Sequence, residues 1–127
     1  MLNLNKSALV IGVVMAGLAS PAFAGDADKG KKVFKKCKAC HVVDSDKNRL
    51  GPSLQNVINR QPGTVAGFKY SNAMVAYGAS NVWDAATLNT YLENPKQVVK
   101  GTRMAFNGLK KPADRDNVIA YLMQFSQ

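Results

Sequence analysis

The chain is short of the side chains on which most enzymes and metal-stabilised domains depend. Its 127 residues include two cysteines and one histidine, and these are near neighbours in Cys37-Lys38-Ala39-Cys40-His41. Three such ligands cannot close a structural zinc site, which takes four. Any Ser–His–Asp or Cys–His nucleophile would have to use the same His41. Acidic residues are scarce too, 8 against 17 lysines and arginines, so the chain carries a formal +9. That imbalance calls for an anionic partner: nucleic acid, a membrane surface or an acidic protein. Long apolar runs are missing, since the stretch from Ala8 to Ala19 falls short of the ~20 residues a spanning helix needs. No strand-like alternation of any length occurs. What is present, 46% apolar and 20% charged residues, is a globular composition of a size for one domain.

The first 24 residues read as a leader. Lys6 is their only charge, the apolar run follows it, and Ser20-Pro21-Ala22-Phe23-Ala24 ends the segment with small residues. This is the pattern of a secretory signal cut after Ala24; a retained anchor would need a longer run. The expected division is a signal peptide over 1–24 and a mature domain over 25–127. Lys6 leaves with the leader, so the mature side chains sum to +8, 16 cations against 8 anions. Export places nucleic acid well behind acidic proteins as the partner. It points to a bacterial periplasm, or the equivalent space outside an energy-transducing membrane.

The mature sequence predicts an all-α fold of about five helices. Asp26 and Asp28 open a basic stretch over Lys29–Lys38 that turns Val33 and Phe34 inward, acids first and lysines later as the helix dipole favours. Ser71 caps a short helix to Tyr77 with Gly78 as its stop, and Asp84 caps another that ends at Asn94-Pro95. Pro95 opens a further turn to Val99. The last helix starts near Pro112, with a stripe of Val118, Ile119, Tyr121, Leu122 and Phe125. Between Val42 and Tyr70 there is little regular structure. So long a loop in a small domain implies something large and apolar for it to wrap.

Cys-x-x-Cys-His supplies that something, because it is the covalent attachment motif of c-type haem. Two thiols one helical turn apart can add to two vinyl groups of the porphyrin, and the histidine that follows lies beneath the iron. A thioredoxin-like Cys-x-x-Cys would sit in a βαβ pattern, which is absent. A disulfide across two residues would close only a small loop and constrain little. A soft sixth ligand is then expected from methionine. Met1 and Met15 leave with the leader, Met123 lies in the stripe of the last helix, and Met74 lies in a short amphipathic helix. Met104, in the aperiodic segment Lys100-Gly101-Thr102-Arg103-Met104-Ala105-Phe106, is the candidate.

Several ordered segments resemble the soluble class I cytochromes c, and most closely mitochondrial cytochrome c and the bacterial cytochromes c2. They are 25–34, the Cys37–His41 motif, Gly51-Pro52-Ser53-Leu54, Gly67-Phe68-Lys69-Tyr70-Ser71, 91–96, 101–106 and 115–122. The resemblance implies one covalent haem c held by Cys37 and Cys40, with His41 and Met104 as iron ligands. It implies that the Pro52 carbonyl accepts from the His41 ring and that Arg60, Tyr70 and Trp83 meet the haem propionates. Tyr91 stands where the family hydrogen-bonds the methionine sulfur, Thr102 ties down its loop, and Gly30, Phe34 and Tyr121 match the crossing of the first and last helices. Asn56 and Asn59 replace family glycines, and asparagine tolerates the same positive φ.

What the resemblance implies for function is a monomeric single-electron carrier, not an enzyme. It would run from a cytochrome bc-type donor to a terminal oxidase or photosynthetic reaction centre, docking transiently at membrane complexes. Lys35, Lys36, Lys38, Lys96, Lys100, Arg103, Lys110 and Lys111 flank the expected haem edge and would steer an acidic partner to it. A dedicated electron-transfer subunit of a periplasmic redox enzyme would share these features. A haem peroxidase would need an open iron face and a distal acid–base pair, for which no second histidine exists.

Overall fold

A computed structural model of the chain describes residues 12–17 and 24–127. The expected leader and its cut after Ala24 fall mostly outside the described residues. The fold is all-α: α1 (Ala27–Phe34), α2 (Asn72–Gly78), α3 (Ala85–Glu93), α4 (Pro95–Val98) and α5 (Pro112–Met123). No strand occurs among the described residues. No described helix is long and apolar enough to cross a membrane.

Most helix starts follow local chemistry. Asp26 accepts from the Lys29 N–H, Ser71 from Met74 and Asp84 from Thr87, each satisfying a backbone donor that the first turn leaves unpaired. Pro95 and Pro112 open α4 and α5, where a missing N–H costs nothing. The first helix is shorter than the basic stretch suggests. It ends at Phe34, and the chain continues in turns, with the Cys40 and His41 N–H groups both donating to the Cys37 carbonyl. Lys35, Lys36 and Lys38 therefore leave the helix and lie exposed around the cysteine turn. Gly78 also differs from expectation. It is the last residue of α2 rather than a stop beyond it, and the Pro62 carbonyl packs where its Cβ would stand.

The segment 42–70 contains no helix, as its composition predicts, and is held by individual bonds. Asn48 links two of its parts: Nδ2 donates to the Ala66 carbonyl at 3.0 Å while Oδ1 accepts from the Ser53 N–H at 3.0 Å. Asn56 and Asn59 take the left-handed conformation at φ 56° and 64°. The Asn56 N–H reaches the Phe125 carbonyl at 2.9 Å, and the Asn59 N–H reaches that of Trp83 at 2.9 Å, so both turns are tied to distant parts of the chain.

The core is built where α1 crosses α5. Phe34 stacks on Tyr121 with ring centroids 5.3 Å apart, and Val118, Ile119 and Leu122 close the interior beneath them. The crossing is close because Gly30 lies against the Asn117 carbonyl, in space that a Cβ would occupy. Replacing it with alanine forces that carbonyl away. Gly30→Ala is expected to lower stability by about 1–3 kcal/mol, the cost of overpacking a filled contact. A fall in the chemical-denaturation midpoint measures it, and an unchanged midpoint would show that the two helices simply slide.

Candidate functional site

The cysteine turn delivers Cys37, Cys40 and His41 within one loop of chain, all half-buried. No disulfide joins the two cysteines. Burial pushes the Cys37 thiol up to about 11, against the pull of the Lys36 ammonium, so it is protonated at neutral pH. His41 is also moved by burial, downward from its ordinary value, with the Pro52 carbonyl opposing. That carbonyl lies 2.7 Å from Nδ1. A carbonyl only accepts, so Nδ1 carries the proton, and Nε2 keeps its lone pair for a metal.

Gly51 is what lets the ring sit there. Its Cα packs on the imidazole, in a position where a Cβ would strike the ring atoms. Its N–H donates to the Cys40 carbonyl at 2.9 Å, binding the proline strap to the cysteine turn. Nothing in the sequence apart from the Gly-Pro pair itself marks this contact.

Met104 is carried by the chain between α4 and α5. Its N–H donates to Thr102 Oγ1 at 3.2 Å, and the Thr102 N–H donates to the Val99 carbonyl at 3.0 Å. The Tyr91 hydroxyl of α3 points at the thioether, 3.9 Å from Sδ. Burial pushes the Tyr91 phenol up to about 12, so it remains a donor through the neutral range. Trp83 packs beside it, ring centroids 4.8 Å apart. Met74 and Met123 are half-buried and pack against the apolar core.

Arg60 is joined to Trp83 by the backbone and lies near enough to Tyr70 for its charge to act on the phenol. The Trp83 N–H donates to the Arg60 carbonyl at 2.9 Å. The Arg60 guanidinium donates to the carbonyls of Gln55 and Ser53, each at 2.9 Å. The Tyr70 hydroxyl accepts from the Val65 N–H at 3.2 Å. Burial raises the Tyr70 phenol while the Arg60 charge pulls it back, so the two groups feel one another. A guanidinium beside a phenol suits a carboxylate held away from water, while the Trp83 ring itself packs on Tyr77 and Tyr91. The carbonyl anchors of Arg60 carry no sequence signal.

The donor set fits a c-type haem: paired thiols, one imidazole with a free nitrogen, a thioether under a hydroxyl donor, and half-buried Leu54, Ile58, Val98 and Phe106. Among the described residues no group of three or more His, Cys, Asp or Glu is placed to hold a bare metal ion. A cavity of about 390 Å³ lies instead between α1 and the loop after His41, with Lys31, Lys35, Lys38 and Arg49 in its walls. Its lining includes His41 but not Tyr91, Thr102 or Met104.

Comparison with known proteins agrees with this chemistry. The cytochrome c family profile matches residues 27–126. Cytochrome c2 of Rhodomicrobium vannielii is 49% identical over 114 residues, covering 89% of this chain and 90% of the relative. Cytochrome c 2.1 of Caenorhabditis elegans is 51% identical over 100 residues, 78% of this chain and 88% of that one. The solved structure of cytochrome c2 from Rhodospirillum centenum aligns with a TM-score of 0.77 at 40% identity, covering 81% of this chain and all of the other.

The Gly51 contact is open to test. Gly51→Ala is expected to drive the imidazole off Pro52 and to cost about 1–3 kcal/mol of stability. Nitrogen-15 chemical shifts of His41 would register the loss of the Nδ1 bond. Shifts identical to those of the parent would show that the strap yields instead.

Proposed function

We propose, from the premise that this chain belongs to the cytochrome c family and carries one covalently attached haem c, that it is a diffusible electron carrier with His41 and Met104 as iron ligands. The bound group supplies a one-electron iron couple, and the protein holds, tunes and docks it. Cys37 and Cys40 make the covalent attachment. His41 binds through Nε2, and the Pro52 carbonyl on Nδ1 fixes its tautomer and raises its basicity. Met104 favours the ferrous state and so raises the potential, with Tyr91 and Thr102 restraining the thioether. Arg60, Tyr70 and Trp83 receive the propionates. With His41 and Met104 both holding the iron, oxygen or substrate would find no open position, as suits a carrier and not a peroxidase.

The observation that carries this reading is the convergence on Met104 of a buried hydroxyl from α3 and a threonine from its own loop. The three methionines of residues 25–127 differ in this respect. Met104→Ala is therefore expected to admit exogenous imidazole to the ferric iron and to lower the potential. Met74→Ala and Met123→Ala should do neither. Imidazole titration followed by visible absorption decides it, and ligand entry in either of the other two variants would move the assignment.

The mature domain begins at Gly25 after removal of the leader and works as a monomer in the periplasm. There it passes electrons from a cytochrome bc-type complex to an oxidase or photosynthetic reaction centre. Docking rests on charge. All eight cations of the expected ring are exposed. Three also brace the fold: Lys96 bonds Asn107, Lys110 the Glu93 carbonyl and Arg103 the Lys69 carbonyl. Lys29–Asp26, at 3.7 Å, is the single ion pair among the described residues. The cations are otherwise unneutralised and available to a partner. Stopped-flow transfer to an isolated oxidase should slow steeply as salt shortens the screening length to about 8 Å. Lys38→Glu and Lys100→Glu should slow association with little change in potential, and Lys47→Glu should matter less. Equal losses at all three would mean that net charge, not a patch, governs docking.

A further inference from the structure

Arg115 is the one buried charged side chain among the described residues, 6% exposed, and electron transfer as proposed makes no use of it. It occupies the first position of the buried stripe of α5, with Val118, Ile119 and Leu122 following at helical spacing. Its guanidinium joins three parts of the chain. Nε donates to Asn89 Oδ1 on α3 at 2.9 Å. Nη1 donates to the Leu109 carbonyl at 2.8 Å and the Lys110 carbonyl at 3.1 Å. Asn89 in turn donates from Nδ2 to Asp116 Oδ1 at 2.8 Å, which puts a carboxylate one amide away from the buried cation.

Leu109 and Lys110 end the aperiodic segment that carries Met104. The Leu109 N–H donates to the Leu92 carbonyl at 2.7 Å and Lys110 Nζ to that of Glu93 at 2.6 Å. The segment bends at left-handed Gly101 (φ 94°) and Gly108 (φ 97°), and between them no residue is fully buried. A stretch with so little buried surface opens locally at less cost than the whole fold. Opening it would also strip the buried guanidinium of two acceptors, and unmet donors on a buried charge are expensive.

We propose that Arg115 is a positioning residue, whose fork clamps the far end of this segment and so sets how often Met104 leaves the iron. The inference rests on the reading of Met104 as axial ligand. Lysine at this position keeps the charge but cannot present a rigid fork to three acceptors.

The test uses the ferric holoprotein and imidazole, which reaches the iron only when Met104 departs. Arg115→Lys is expected to raise the apparent imidazole affinity about tenfold, the size of a lost charge-assisted hydrogen bond. Asn89→Ala, which frees Nε and the Asp116 carboxylate but leaves both carbonyl bonds of Nη1, should raise it by a smaller factor and serves if Arg115→Lys does not accumulate. A merely structural role would make Arg115→Lys resemble Gly30→Ala, with a lower unfolding midpoint and unchanged imidazole affinity. That result, or an unchanged affinity in Asn89→Ala, overturns the proposal. Met104→Ala separates the two readings. Raised affinity there beside unchanged affinity in Arg115→Lys removes the clamp alone, whereas unchanged affinity in Met104→Ala removes the ligand assignment itself.

Discussion

The contact between the Cα of Gly30 and the Asn117 carbonyl is the constraint from which the remaining geometry follows. It brings the two ends of the domain together and fixes the direction in which α1 leaves the crossing. Phe34, at the end of that helix, is then anchored on Tyr121, and the cysteine turn begins at the next residue. A chain with a long loop segment and five short helices has few other means of placing Cys37, Cys40 and His41. Local helix propensity would not hold α1, which at eight residues is too short to be stable alone. Its lysines gain helical order only because the apolar face is buried against α5.

From that fixed end, the two halves of the site are built by different physics. On the histidine side the backbone does the holding: a carbonyl accepts from the ring, a bare Cα supports it, and an N–H returns to the cysteine turn. Such groups do not change rotamer, so the imidazole has one orientation. On the methionine side the holding is done by side chains: Tyr91 from α3, Arg115 from α5 and Thr102 from the loop itself. Side-chain restraint is looser and can be lost one bond at a time. The His41 ring is thereby held more rigidly than the Met104 side chain.

Features set by neighbouring residues were readable in the sequence. The caps at Ser71 and Asp84, the acids that open α1, the prolines that open α4 and α5, and the absence of helix from 42 to 70 depend on chemistry within a few positions. The Cys-x-x-Cys-His motif is local in the same sense. The positive φ of Asn56 and Asn59 followed from the tolerance of asparagine for that region. Features that depend on a distant atom were not readable. Helical pattern carries the basic stretch through Lys38, whereas the chain tightens at Phe34 into bonds of three-residue span, Lys36 to Val33 and Cys37 to Phe34. Gly78 reads as a stop because nothing local announces the Pro62 carbonyl beside it. Arg115 did leave a trace: a charge in register with an apolar stripe signals a buried partner, although not which carbonyls provide it.

The single ion pair has a consequence between copies rather than within one. An ordinary surface intersperses charges of both signs, so that neighbours in a concentrated solution find patches to cling to. Among the described residues only Asp26 and Lys29 pair, and the exposed acids Asp28, Asp44, Asp46, Asp84 and Glu93 are far outnumbered by exposed lysines and arginines, so positive sign prevails. Two copies that drift within a Debye length, about 8 Å at physiological ionic strength, repel before their apolar surfaces meet. A crowded population therefore stays dispersed, each molecule holding its fellows at arm's length while remaining attractive to anything acidic. Queueing at one binding site is then competition among independent particles, and the departure of one copy is hastened by the field of the next.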